Sequence, residues 1–181
     1  DDNILDLNQH SYEIPLIGDI YTYYSTDGVF NQYGNIFFTY LLEDLVKNVF
    51  IQRKAISFYF VQPGTYGNYS SPNNIATIEF ENSNYNGNIL IQEKPFNLNK
   101  ENLNSVTDLI TINLNDELDY SLKFQINKLE EQYQESMNKL KIFQLKSDDS
   151  IDILETFYSS NYIYTNLSNG GHYGILYDEN I

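Results

Sequence analysis

The chain has no cysteine and no tryptophan, and its 181 residues include two histidines and one methionine. Without cysteine there is no disulfide framework, no thiolate nucleophile and no zinc–thiolate site. Neither His10 nor His172 has a second histidine or a cysteine at three- or four-residue spacing, as a zinc motif of the His/Cys type requires. Both are read as surface or hydrogen-bonded side chains. Ser168 lies near His172, but Asn169-Gly170-Gly171 between them marks a turn. No Gly-x-Ser-x-Gly segment exists to expose a nucleophile. The chain is therefore expected not to be an enzyme.

Positive charge is also scarce. Ten Lys and Arg stand against 25 Asp and Glu, a net charge of −15. Such a field repels phosphate backbones and anionic lipid surfaces, so nucleic acid is not an expected partner. No run of about 18 apolar residues occurs, and membrane insertion is not expected. The opening Asp1-Asp2-Asn3 has neither an initiator methionine nor a signal-peptide pattern. A processed product or an excised fragment, extracellular or cell-surface in origin, is the expectation.

What the chain does have is tyrosine, 17 in all, within an aromatic content of 15%. A tyrosine packs its ring while keeping its hydroxyl wet, which suits half-buried sheet faces and contact surfaces. Period-two alternation dominates. Residues 120–127 alternate apolar and polar side chains throughout, as a strand with one wet face does. Similar strands are expected at 20–24, 56–61, 76–80, 88–91, 109–114, 140–145, 151–157, 162–167 and 173–177. Asn86-Gly87 readily takes the positive φ angles of a tight turn, which predicts direct pairing of 76–80 with 88–91.

Other stretches read differently. Residues 36–51 place Phe38, Leu41, Leu45 and Val49 at helical spacing behind Asn35, and a helix is expected there, with a strand over 36–42 as the competing reading. Ile126, Leu129, Tyr133, Met137 and Leu140 share one helical face, which predicts a helix of a few turns. Residues 99–107 read as a turn or a single helical turn, and 64–72 as a loop. The fold class that follows is mainly β: an antiparallel β-sandwich, Ig-like in general architecture, with one or two short helices. A boundary among residues 95–105 divides a β-rich half over 1–98 from a sandwich half over 99–181. One domain over 1–181 is the alternative.

The closing strands carry a resemblance. The segment 120–127 is followed by Lys139-Leu140-Lys141-Ile142-Phe143, Ser147-Asp148-Asp149-Ser150, the segment 153–158, Tyr162-Ile163-Tyr164-Thr165 and Tyr173-Gly174-Ile175-Leu176-Tyr177. This order is similar to the last strands of β-sandwich modules on microbial extracellular surface proteins. Here Asn169-Gly170-Gly171-His172 widens the final turn. The resemblance covers the C-terminal third and implies an extracellular, modular, non-catalytic protein.

Candidate sites follow from the tyrosines and carboxylates. Tyr66, Asn68 and Tyr69 share a loop, where a ring has no sheet neighbour and is free to stack on a sugar or fill a partner's pocket. Tyr21 and Tyr23 share one face of a strand whose other face also carries a tyrosine. Asp148, Asp149 and Asp152, close together in one turn, are candidate oxygen ligands for calcium, although no EF-hand loop is present. No other cofactor is expected. Solvated turn charge is the plainer account of these acids. Asn68-Tyr69-Ser70 and Asn166-Leu167-Ser168 match the N-glycosylation sequon.

The functional expectation is a non-catalytic extracellular or cell-surface module with a structural or adhesive role, meeting a protein or a glycan. A carbohydrate-binding module is the first alternative, and a glycoside-processing enzyme with paired carboxylates the second. Self-association through an exposed strand edge is compatible with this pattern.

Overall fold

A computed structural model describes residues 34–43, 49–81, 84–100 and 102–179. They form two antiparallel sheets around a shared core. The strands are β1 (Gly34–Glu43), β2 (Val49–Val61), β3 (Gly67–Ser70), β4 (Ala76–Phe80), β5 (Gly87–Lys94), β6 (Asn99–Lys100) and β7 (Leu103–Ser105). They continue as β8 (Leu109–Leu114), β9 (Tyr120–Gln125), β10 (Leu140–Leu145), β11 (Ile151–Ile153), β12 (Phe157–Tyr158), β13 (Tyr162–Leu167) and β14 (Gly171–Asp178). The larger sheet runs β1-β2-β5-β8-β14-β10-β11, with β7 against β14 and β6 against β7. The smaller runs β12-β13-β9-β4-β3.

Period-two sequence produces this packing directly. In β9, Tyr120, Leu122 and Phe124 are buried while Ser121, Lys123 and Gln125 are not. Ile78 and Ile163 join them from β4 and β13, and Ile89, Ile91, Ile110, Ile112, Ile142 and Ile175 meet them from the larger sheet. Apolar side chains from both inner faces thus fill one layer, as sheets packed face to face require. A second, smaller cluster lies on the far side of the larger sheet, where Phe96 and Leu98 pack with Leu109, Phe143 and Leu176. The pairs β5 with β8 and β4 with β9 cross the position where a domain boundary was expected.

The strands expected at 76–80, 109–114, 140–145 and 162–167 form with those bounds. Several expectations are corrected. Residues 36–51 contribute to two strands, β1 and β2, paired from Gly34 with Phe58 to Glu43 with Val49. A helix cannot use that long ladder, and the aromatic and β-branched residues of the segment favour it. Residues 76–80 and 88–91 do not pair: β4 lies in the smaller sheet and β5 in the larger. Gly87 does open β5, but the turn is fastened to β8 instead. The Asn88 amide donates to Asn115 Oδ1 and the Tyr85 hydroxyl accepts from the Asn115 amide.

The strand expected at 151–157 is broken because the chain changes sheets there, β11 belonging to one and β12 to the other. The crossing is secured on β10. The Leu154 amide donates to the Ile142 carbonyl, and the Thr156 hydroxyl accepts from the Ile142 amide. The helix expected across 126–140 is three separate turns, a 3-10 turn at Ile126–Lys128, the four-residue α1 (Glu131–Gln134) and a 3-10 turn at Met137–Lys139. None begins with a side-chain cap. Residues 99–105 make a small hairpin, with Asn102 at φ 63° in its turn. The loop expected at 64–72 contains β3, paired to β4. The strand expected at 20–24 lies outside the described residues. Among the described residues, no helix is long and apolar enough to cross a membrane.

Candidate functional site

The outward positions of the smaller sheet form a continuous surface. In β13, Ile163 and Thr165 are buried, so Tyr162, Tyr164 and Asn166 face away from the core. Register sets Tyr164 opposite Lys123 and Asn166 opposite Ser121 on β9, and Thr77 and Glu79 on β4 continue the two rows. On the other side of β13, Phe157 stands opposite Tyr164, and their rings stack with centroids 5.3 Å apart. The β12–β13 turn that places Phe157 there is closed by Ser159, whose amide donates to the Tyr162 carbonyl and whose hydroxyl accepts from the Tyr162 amide.

Lys123 is the sole basic residue in these five strands. It is paired with Glu79 and lies 5.8 Å from the centre of the Tyr162 ring. Its charge is thus met within the sheet by a carboxylate and a ring face. In the adjacent row, the Ser121 hydroxyl donates to Asn166 Oδ1 at 2.7 Å.

At the end of the sheet this surface turns into a cleft of 720 Å³. Glu79, Ser121 and Asn166 line it from the outward rows, together with Tyr120, Gln144 and Asn169. Glu81, Asp119 and Ser168 complete its polar lining, with Phe80 and Leu167 as the apolar part. Glu81 and Asp119 also line an adjoining cleft of 610 Å³, together with Asp116 and Glu117.

The rim of the cleft is built from the turn between β13 and β14. Tyr120 and Tyr173 both donate to the Asn169 carbonyl, and the Leu118 amide donates to the Ser168 carbonyl. Gly170 follows because a Cβ there would stand 2.5 Å from the Ile112 carbonyl oxygen. The widened turn at 169–172 is therefore a fixed element, held from both sheets. Burial pushes the Tyr120 hydroxyl well above its ordinary value of 10.0, and the neighbouring Tyr173 adds to the shift.

The residues singled out from sequence have separate fates. Tyr66 is 56% exposed, and Asn68 is exposed on the edge strand β3. Tyr69 instead turns inward and stacks on Tyr59 of the other sheet, ring centres 4.3 Å apart. Its expected lack of a sheet neighbour is corrected by the presence of β3 beside β4. Desolvation, then the nearby Tyr59, raises the Tyr69 hydroxyl pKa. Asp148 accepts from the Ser150 amide and hydroxyl, which hold its carboxyl below the ordinary 3.8. Asp152 pairs with Lys146 at 2.7 Å, and Asp149 takes the left-handed position of the turn at φ 61°. Among the described residues, no three His, Cys, Asp or Glu side chains are grouped to hold a metal ion. His172 shares a 2.9 Å hydrogen bond with Thr111. Tyr21, Tyr23 and His10 lie outside the described residues.

Glu79, Glu81 and Ser121 were missed by motif reading. Period two within 162–167 already put Tyr162, Tyr164 and Asn166 on one side. Which strands would flank them is a long-range fact that no local pattern carries. No family model, curated protein or solved structure matches this chain.

Proposed function

We propose that this chain is a non-catalytic, extracellular or cell-surface β-sandwich module with an adhesive role, which holds its partner at the cleft end of the smaller sheet. The observation that carries this reading is the pinned 168–170 turn beside the cleft. A binding site gains affinity when its groups are ordered before the partner arrives, because the ordering cost is already met. Here two tyrosine hydroxyls and a backbone amide hold the rim in place. The resemblance of the closing strands to surface modules and the strongly acidic composition support the setting.

The glycoside-processing alternative draws on Glu79, Glu81 and Asp119 sharing one cleft. Against it, Glu79 is already engaged by Lys123. The test is the retention of chain-coated beads on intact cells and extracellular matrix under flow, with reducing-sugar release assayed in parallel. Retention that falls in Ser121→Ala/Asn166→Ala beads, without sugar release, is the expected result. Equal retention of both bead types, or turnover of a glycan, overturns the reading.

A further inference from the structure

We infer that the partner is a neutral oligosaccharide, laid from the cleft along β13 to the Phe157–Tyr164 ring pair. This rests on the binding role proposed above and names its ligand class. The cleft is lined by six neutral polar side chains and three carboxylates, with only two apolar residues. An apolar ligand would strip water from the exposed carboxylates of Glu81 and Asp119 without replacing it. A polyhydroxylated ligand answers them. Amides both donate and accept, hydroxyls do either, and carboxylates accept from sugar hydroxyls.

The aromatic rings supply the other half of sugar recognition, a flat face for the C–H side of a pyranose. Tyr162 and Tyr164 are half-buried on the outward face, as is Phe157 stacked beside Tyr164. Tyr162, Tyr164 and Asn166 succeed one another on one face at roughly 6.6 Å steps, so they span roughly 13 Å. That length calls for several sugar units in line.

Charge narrows the class. Glu81 and Asp119 in the cleft, within a chain of net charge −15, repel sulfated or uronic polymers. A basic peptide is the rival that the carboxylates would attract. The one lysine of the face is already matched to Glu79 and Tyr162, and neutral polar groups outnumber carboxylates in the cleft. That balance favours hydroxyls over ammonium groups.

The experiment is an array of neutral oligosaccharides of increasing length, with uronic and sulfated glycans and an Arg/Lys-rich peptide as comparison arms, followed by titration calorimetry. Neutral chains should bind, longer ones more tightly, with little dependence on salt. Tyr164→Ala and Asn166→Ala should each weaken binding by about tenfold, equivalent to about 1.4 kcal/mol. Tyr164→Leu keeps the strand filled and guards against a folding defect, with melting temperature measured for each variant. Three outcomes overturn the inference: no neutral glycan bound by the intact chain, preferred salt-sensitive binding of the basic peptide, or glycan binding unaffected in folded variants. If the coated beads still adhere while the array is blank, the adhesive role survives and the glycan inference alone fails.

Discussion

Tyr120 and Tyr173 reach from opposite sheets to one acceptor, donating to the Asn169 carbonyl at 2.8 and 2.9 Å. The two sheets and the turn at the cleft are thereby joined at a single oxygen. Either hydroxyl alone keeps that carbonyl satisfied. Tyr120→Phe or Tyr173→Phe should therefore cost about 0.5–1.5 kcal/mol, the net worth of one hydrogen bond. The double variant should cost more than the sum, because it leaves a part-buried carbonyl without either partner. A double-mutant cycle by urea denaturation measures the coupling. Simple additivity would mean that the hydroxyls do not act through a shared acceptor.

The same burial makes the fold sensitive to alkali. Desolvation is the largest cause raising the hydroxyl pKa of Tyr120, Tyr173, Tyr85 and Tyr69 above 10.0. Unfolded tyrosines begin to lose protons near 10, while the folded chain retains them. The folded state then binds more protons, and stability falls as pH rises. The contribution is fully present below about pH 10 and is lost as pH climbs through the raised native values. Urea midpoints should be level from about pH 8 to about pH 9 and then decline. Tyr120→Phe should flatten that decline. An equally steep decline in the variant would remove Tyr120 as a cause.

Three strands of the smaller sheet, β4, β9 and β13, could be read locally because their own residues carry a strand pattern. Tyr162–Leu167 and Ala76–Phe80 needed no knowledge of their neighbours. Long-range choices were not legible. Phe38, Leu41, Leu45 and Val49 satisfy a helical spacing as well as a strand composition, and only pairing with 49–58 decides between them. Asn86-Gly87 announces a turn without saying which sheet receives each arm. Leu154 and Thr156 contain no Gly or Pro to mark the change of sheet; the mark is a hydrogen-bond exchange with Ile142. The cleft inherits this limit, since its lining is gathered from the ends of β4, β9, β10 and β13.

Calcium should leave the melting temperature unchanged relative to EDTA. Asp148 spends its carboxylate on Ser150, and Asp152 faces Lys146 at 2.7 Å. A calcium site needs six to eight oxygens converging on one point, and a lysine pair works against that. Scanning calorimetry across millimolar calcium is the measurement. A rise in melting temperature that grows with calcium concentration would restore the acidic turn as a metal site.

Tyr66 and Tyr69, three residues apart, should behave oppositely when truncated. Tyr69 stacks on Tyr59 and tilts against Phe80, while the Tyr59 hydroxyl donates to the Ser70 carbonyl 3.0 Å away. Those contacts seal the β3 edge between the two sheets. Gly67 belongs to the same seal, since a Cβ there would meet the Phe80 ring at 2.2 Å. Tyr69→Ala removes a ring from this cluster and should cost about 2–4 kcal/mol, the lower part of the range for large core truncations being relevant to a half-buried site. Tyr66, more than half exposed, should change stability by no more than about 0.5 kcal/mol when replaced by Ala. Equilibrium denaturation separates the two directly. A Tyr66 loss as large as that of Tyr69 would show that the 62–66 corner packs as part of the core, and near-neutral Tyr69→Ala would deny the inter-sheet stack its structural role.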